Sequence, residues 1–235
     1  MLRYLVGIVL ATFLRNVLGL TPNDYLITSL PLLHSSVNFN QYAGYMALGD
    51  EDETSMFFWF VESQNNPATA PVVLWLNGGP GSSSIAYGFW TEHGPFRLAP
   101  NAVEVDIYDW SWNQIANVIY LESPSGVGFS YSNKPTGYNC SDSKTAHINY
   151  LFLLRFFEVF TQFQNNDFYV TGESYGGHYV PQLSQMILEQ NNTINMKGFV
   201  VFFFFFKKKK TMLMRNFVMF INFSLISKEM YILFV

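Results

Sequence analysis

Short apolar blocks run through the middle of this chain, each closed by glycine, asparagine or proline. Residues 71–76, Pro-Val-Val-Leu-Trp-Leu, read as a buried strand that runs straight into Asn77-Gly78-Gly79-Pro80-Gly81. Residues 117–121 and the run Phe168-Tyr169-Val170 have the same character. Earlier, residues 42–48 and 56–61 predict two antiparallel strands joined by the acidic turn Asp50-Glu51-Asp52-Glu53. A helical period appears over residues 142–163, where Ala146, Tyr150, Leu153, Phe157 and Phe160 make one apolar stripe that core packing explains. His147 in that segment reads as a structural or surface histidine. Behind Gly176, Val180, Leu183 and Ile187 again fall at helical spacing, with Pro181 in the first turn, where its missing N–H costs nothing. Strands and helices in this order make an α/β chain.

The junction between the Phe168 run and the last helix carries the chemistry. Gly172-Glu173-Ser174-Tyr175-Gly176 spells the G-x-S-x-G nucleophile elbow, in which glycines allow a sharp strand-to-helix turn and the serine projects into the reaction cavity. The expected fold is therefore an α/β-hydrolase, a mixed central sheet flanked by helices, with Ser174 as nucleophile. In that fold one oxyanion donor is the N–H after the nucleophile, here Tyr175. The other comes from a glycine-rich loop after an earlier strand, for which Gly79 is the candidate. The triad runs Ser, Asp or Glu, then His along the chain. After Ser174 the sequence offers only His178, Glu189 and Glu229. His178, four residues on in the elbow helix, is badly placed to serve Ser174 as base with a carboxylate behind it. The expectation is a fold truncated after the elbow, its triad Asp and His absent.

Charge and cysteine usage narrow the class. Over residues 1–206 there are 7 basic and 16 acidic side chains, a balance of −9 that disfavours a nucleic-acid partner. Residues 1–20 open with Met1-Leu2-Arg3 and an apolar run too short to span a bilayer, the form of a secretory signal peptide. The sequons at Asn139 and Asn191 agree with secretory entry, a destination outside the cell or in a vacuole or lysosome. A third sequon, at Asn222, falls in the tail. Cys140 is the single cysteine, so no internal disulfide can form. The four histidines and one cysteine show no metal-ligand spacing, and no cofactor is expected.

Taken together, the motifs resemble a serine carboxypeptidase. The resemblance is carried by Val37-Asn38-Phe39-Asn40-Gln41-Tyr42-Ala43-Gly44-Tyr45, Trp75-Leu76-Asn77-Gly78-Gly79-Pro80-Gly81, Trp112-Asn113, Leu121-Glu122-Ser123-Pro124-Ser125-Gly126-Val127-Gly128 and Gly172 through Pro181, fading after Phe199. It implies an acyl-enzyme on Ser174 and a peptide substrate whose free α-carboxylate is gripped by Trp75, Asn77, Gly78, Glu92 and Glu173. Glu92 is placed by its context Glu92-His93-Gly94-Pro95. It equally allows acyl transfer to an alcohol, and a non-catalytic fragment is the reading from another class. The family commonly has cysteine after the Gly-Pro-Gly turn, where this chain has Ser82. The expected domains are a leader over 1–20, the N-terminal part of the hydrolase over 21–201 and a tail over 202–235. Phe202 to Phe206 followed by Lys207 to Lys210 is what runs of T and of A give when translated. The tail is therefore expected to be non-homologous read-through without a matching strand, leaving the sheet edge open, and it lacks the ~20 apolar residues of a stable membrane span.

Overall fold

The computed structural model describes residues 19–49, 53–100, 103–190, 193–205, 215–222 and 231–234, with side chains as far as Phe202. Residues 1–18 of the expected leader, the turn residues 50–52 and Asn191 lie outside the described residues.

The opening strands are β1 (Gln41–Leu48) and β2 (Thr54–Val61), antiparallel from Gln41↔Val61 to Leu48↔Thr54. They are followed by β3 (Val72–Leu76), the small β4 (Phe96–Leu98) and β5 (Val105–Ile107), β6 (Asn117–Leu121) and the short β7 (Tyr131–Ser132). Helix α1 (Asp142–Val159), strand β8 (Phe168–Glu173), helix α2 (Gly176–Glu189) and β9 (Met196–Phe205) complete the part that builds the site. Two further strands are β10 (Arg215–Asn222) and β11 (Tyr231–Phe234). The main sheet has the order β1-β2-β6-β3-β8-β9-β10-β11, with β3 parallel to both β6 and β8, and β8 parallel to β9.

The central strands are apolar throughout because both of their faces are covered. Alternation sorts them into two cores. Val72, Leu74, Leu76, Ile119 and Leu121 face the helices with Phe152, Phe156, Val180 and Leu183, while Val73, Trp75, Val118 and Tyr120 face Phe89 and Phe96 on the other side. The parallel strands thus end together on one edge, where β3 gives Asn77, β6 gives Glu122 and β8 gives Ser174. Crevices at the carboxyl ends of such strands are where α/β folds place their ligands.

Two expectations need correction. The helix foreseen over residues 142–163 stops at Val159: Phe160 leaves helical geometry at φ −97°, ψ 56°, and a single 3₁₀ turn (Thr161–Phe163) follows. Phe160 is fully buried against Tyr42, Phe58 and Phe60, so tertiary packing, not period, sets that boundary. The tail was expected to add no strand, yet β9 runs to Phe205, β10 pairs with it antiparallel and β11 with β10. Phe, Val, Ile and Tyr favour extended backbone, and the open N–H and C=O groups of an edge accept a neighbour without polar alternation in its sequence.

Candidate active site

Gly172 and Gly176 bracket the elbow because both approach the backbone of β3. A Cβ on Gly172 would stand 2.5 Å from the Leu76 carbonyl oxygen, and one on Gly176 3.2 Å from it. Between them Ser174 is exposed and adopts φ 52°, a left-handed conformation that a non-glycine residue holds only where its surroundings impose it. Its N–H donates to Phe202 O at 2.9 Å, which ties the turn to β9.

The glycine-rich loop after β3 comes to the same place. Gly78 is buried against the elbow: a Cβ there would lie 2.5 Å from Tyr175 N and 3.0 Å from Ser174 Cβ. Gly79 takes φ 107°, open only to glycine, and is exposed. The chain then enters a π-helix (Ile85–Glu92), an element without a sequence signal. Asn77 joins these pieces. Its Oδ1 accepts from Trp75 Nε1 at 2.7 Å and from Gly88 N at 3.0 Å, while its Nδ2 donates to Glu92 Oε1 at 3.1 Å and to Glu173 Oε1 at 3.0 Å. With both faces of the amide used, its orientation is fixed.

Burial, and then the charge of Glu173, pushes the Glu92 carboxyl up to about 7. Glu92, Glu173, Trp75, His93, Trp112 and Phe202 line a cavity of about 320 Å³. All eight candidates, Ser174, Tyr175, Gly78, Gly79, Trp75, Asn77, Glu92 and Glu173, therefore meet along one rim of the sheet. Asn139 is exposed on a separate loop. Cys140 is exposed and free.

His178 does have a carboxylate near it: Asp142 Oδ2, from the first turn of α1, is 3.8 Å from its Nδ1. Sequence reading missed that partner, which comes from 36 residues upstream. The imidazole stacks on the Tyr175 ring at 4.6 Å, and Tyr175 Oη donates to Asp142 Oδ1 at 3.1 Å. Among the described residues no hydrogen bond joins His178 to Ser174 Oγ. Sequence reading gave no role to His93, Trp112 and Glu122, though its motifs contain them. The last accepts from Ser83 Oγ at 2.6 Å under the glycine-rich loop. Among the described residues no group of three or more His, Cys, Asp or Glu could hold a metal ion, and no helix is long and apolar enough to cross a membrane.

An elbow serine facing a glycine loop at the carboxyl edge of a mixed sheet defines an α/β-hydrolase. Comparison with known proteins is more specific, since a serine carboxypeptidase family model matches residues 31–232. Serine carboxypeptidase-like 26 of Arabidopsis thaliana is 48% identical over 179 residues, which span 74% of this chain and 40% of that protein. The lysosomal protective protein of Mus musculus is 45% identical over 180 residues, 77% of this chain and 37% of its own length. Kex1, a prohormone-processing carboxypeptidase of Saccharomyces cerevisiae, superposes with a TM-score of 0.67 at 26% identity, over 77% of this chain and 43% of its own. The chain belongs to the serine carboxypeptidase family, and it spans about two-fifths of the length of the curated relatives it matches.

Proposed function

We propose that this protein is a serine-type carboxypeptidase that releases the C-terminal residue of a peptide through an acyl-enzyme on Ser174. The observation that carries the reading is the Asn77 amide, which donates to both Glu92 and Glu173 beside the exposed serine. Two carboxyls sharing one donor cannot both ionise cheaply in a half-buried site, so one proton is retained. A protonated carboxyl donates to a substrate carboxylate, whereas an ionised one repels it. In this reading Asn77, the Gly78 N–H, Glu92 and Glu173 hold the terminal carboxylate, and Trp75 fixes Asn77. The scissile carbonyl then lies over Ser174, with its developing oxyanion facing the N–H groups of Gly79 and Tyr175.

Ser174 Oγ adds to the carbonyl carbon, the C–N bond breaks, and the amine leaves with the proton taken from the serine. Water then hydrolyses the ester. That proton needs a general base, which the resemblance assigns to an Asp–His pair absent from these 235 residues. Alone, they are expected to give no turnover. The leader over 1–20, the exposed Asn139 sequon and the mouse relative's lysosomal name support a secretory destination, outside the cell or in a vacuole or lysosome.

The test is a blocked dipeptide against its C-terminal amide at acidic pH, in a chain that carries the Asp and His. Release of the last residue from the acid alone supports the reading. Equal cleavage of the amide defeats it, and transfer of the acyl group to an added alcohol in place of water makes the protein an acyltransferase.

A further inference from the structure

The residue after Glu92 is buried beside the site. The His93 ring is stacked on Trp112 at 4.0 Å and set edge-on to Trp75 at 4.3 Å. Its Nδ1 lies 3.0 Å from Tyr120 Oη. The Tyr120 hydroxyl is fully buried, and among the described residues His93 Nδ1 is its hydrogen-bond partner. A buried hydroxyl proton left undonated is costly, so the tyrosine donates and Nδ1 accepts. The imidazole proton therefore sits on Nε2. That atom is buried without a hydrogen-bond partner, and its nearest acidic group is Glu92 Oε2, 3.9 Å away. This is beyond hydrogen-bond length, so the N–H acts on the carboxyl through space and not through a hydrogen bond.

We propose that His93 is a positioning residue for Glu92: its Nε2–H, set on that nitrogen by Tyr120, stands beside Glu92 Oε2 and, together with the Asn77 amide that donates to Oε1 at 3.1 Å and Oε2 at 3.3 Å, fixes the carboxyl that meets the terminal carboxylate. The inference deepens the carboxypeptidase reading and rests on it for the ligand, though not for the geometry. His93 suits the task because it stays neutral. Burial and then Arg97 lower it to about 3, so it presents a donor without a cation that would ionise Glu92. The groups that bear on Glu92 are Glu173 from the end of β8, the Asn77 amide, which donates to both of its oxygens, Arg97 from β4, His93 and, across the sheet, Tyr120 from β6. Arg97 donates to the Glu92 backbone carbonyl, not to its carboxyl.

The sign follows from the donor. An N–H facing a carboxylate oxygen favours the ionised form, so its removal raises the Glu92 midpoint. The experiment is NMR on the full chain with labelled histidine and glutamate. In the wild type, ¹⁵N shifts should show His93 with Nε2 protonated and Nδ1 bare, and the Glu92 ¹³Cδ should titrate near 7. In His93→Leu the midpoint should move upward, and in Tyr120→Phe, which frees the tautomer, it should move the same way. His93→Gln, which restores a neutral N–H donor, should bring it back. A bare Nε2 in the wild type, or a Glu92 midpoint unmoved in both His93→Leu and Tyr120→Phe, overturns the proposal. A second arm, quenching of Trp75 and Trp112 fluorescence by N-acetylphenylalanine against its amide, tests the carboxylate reading separately. A neutral Nε2–H with a shifted midpoint but no preference for the acid would sink that reading and leave the positioning role standing.

Discussion

Gly78 and Tyr175, 97 positions apart in sequence, touch so closely that a Cβ on the glycine would lie 2.5 Å from the tyrosine N–H nitrogen. The second obstacle, Glu173 O at 2.6 Å, is also backbone, so no side-chain rotation can relieve the clash. The contact welds the glycine loop to the elbow and fixes Gly79 N–H relative to Tyr175 N–H. Gly78→Ala should therefore force the two apart and cost ~10²-fold or more in turnover, the scale of a lost oxyanion donor. Steady-state kinetics on a blocked dipeptide, with circular dichroism to confirm folding, measure it. A folded Gly78→Ala protein with near wild-type kcat would show that the contact does not build the hole.

Ser174 should be the serine modified by a fluorophosphonate in a chain with its base supplied, since it alone combines exposure, φ 52° and the elbow. Peptide mapping reads the adduct. Phosphonylation at Ser83 or Ser125 in its place would move the nucleophile elsewhere.

Glu92 should make both affinity and stability pH-dependent, in one direction. Its folded value, about 7, is raised above the ordinary carboxyl value of 4.5, so its contribution is complete below the unfolded value and is lost as pH climbs from about 4.5 to about 7. Burial is the first cause, and the side chain is still 31% exposed, so the stability change is on the order of 1–2 kcal/mol. Glu92→Gln stays neutral. It should flatten the pH dependence of both melting temperature and substrate KM across that interval, at a several-fold weaker KM in acid because an amide has different donor geometry. Parallel pH profiles for the variant and the wild type would mean that Glu92 does not titrate in this range.

How much of this was legible depends on the range of the contact. The elbow and the β3–loop junction were read directly, because glycine at Gly172, Gly176 and Gly79 answers a local backbone need. The parallel core strands were equally plain, being apolar on both faces. The grouping of Asn77, Glu92 and Glu173 came only through family resemblance, since the Asn77–Glu173 bond spans 96 residues. Tyr120 and Asp142 carried no signal at all, and His93 entered only as a neighbour in the Glu92 motif: each matters through a partner on another element. The tail was misjudged because polar alternation was demanded of strands whose pairing is made by backbone.

A carboxyl anchors the glycine loop where the chain has Ser82 in the family's usual cysteine position. Glu122, 1% exposed at the end of β6, accepts from Ser83 Oγ at 2.6 Å through Oε1, its Oε2 is buried without a hydrogen-bond partner, and the backbone N–H groups of Ser84 and Ile85 lie near enough to favour its charged form. A buried carboxyl thus holds the first turn of the π-helix, and with it the loop. Burial raises the Glu122 pKa, while those donors oppose the rise. A raised carboxyl contributes stability below its unfolded value, ~4.3, and loses it as pH passes the folded value. Ser83→Ala removes one bond to this carboxyl and should cost ~1–2 kcal/mol. Glu122→Gln keeps the acceptor but removes the buried charge, so relative to wild type it should gain melting temperature at pH 8 and change little at pH 4. Thermal unfolding at the two pH values decides it. A loss at pH 8 as large as that at pH 4 would mean that the carboxyl is ionised and fully compensated, and that the anchor is a charge after all.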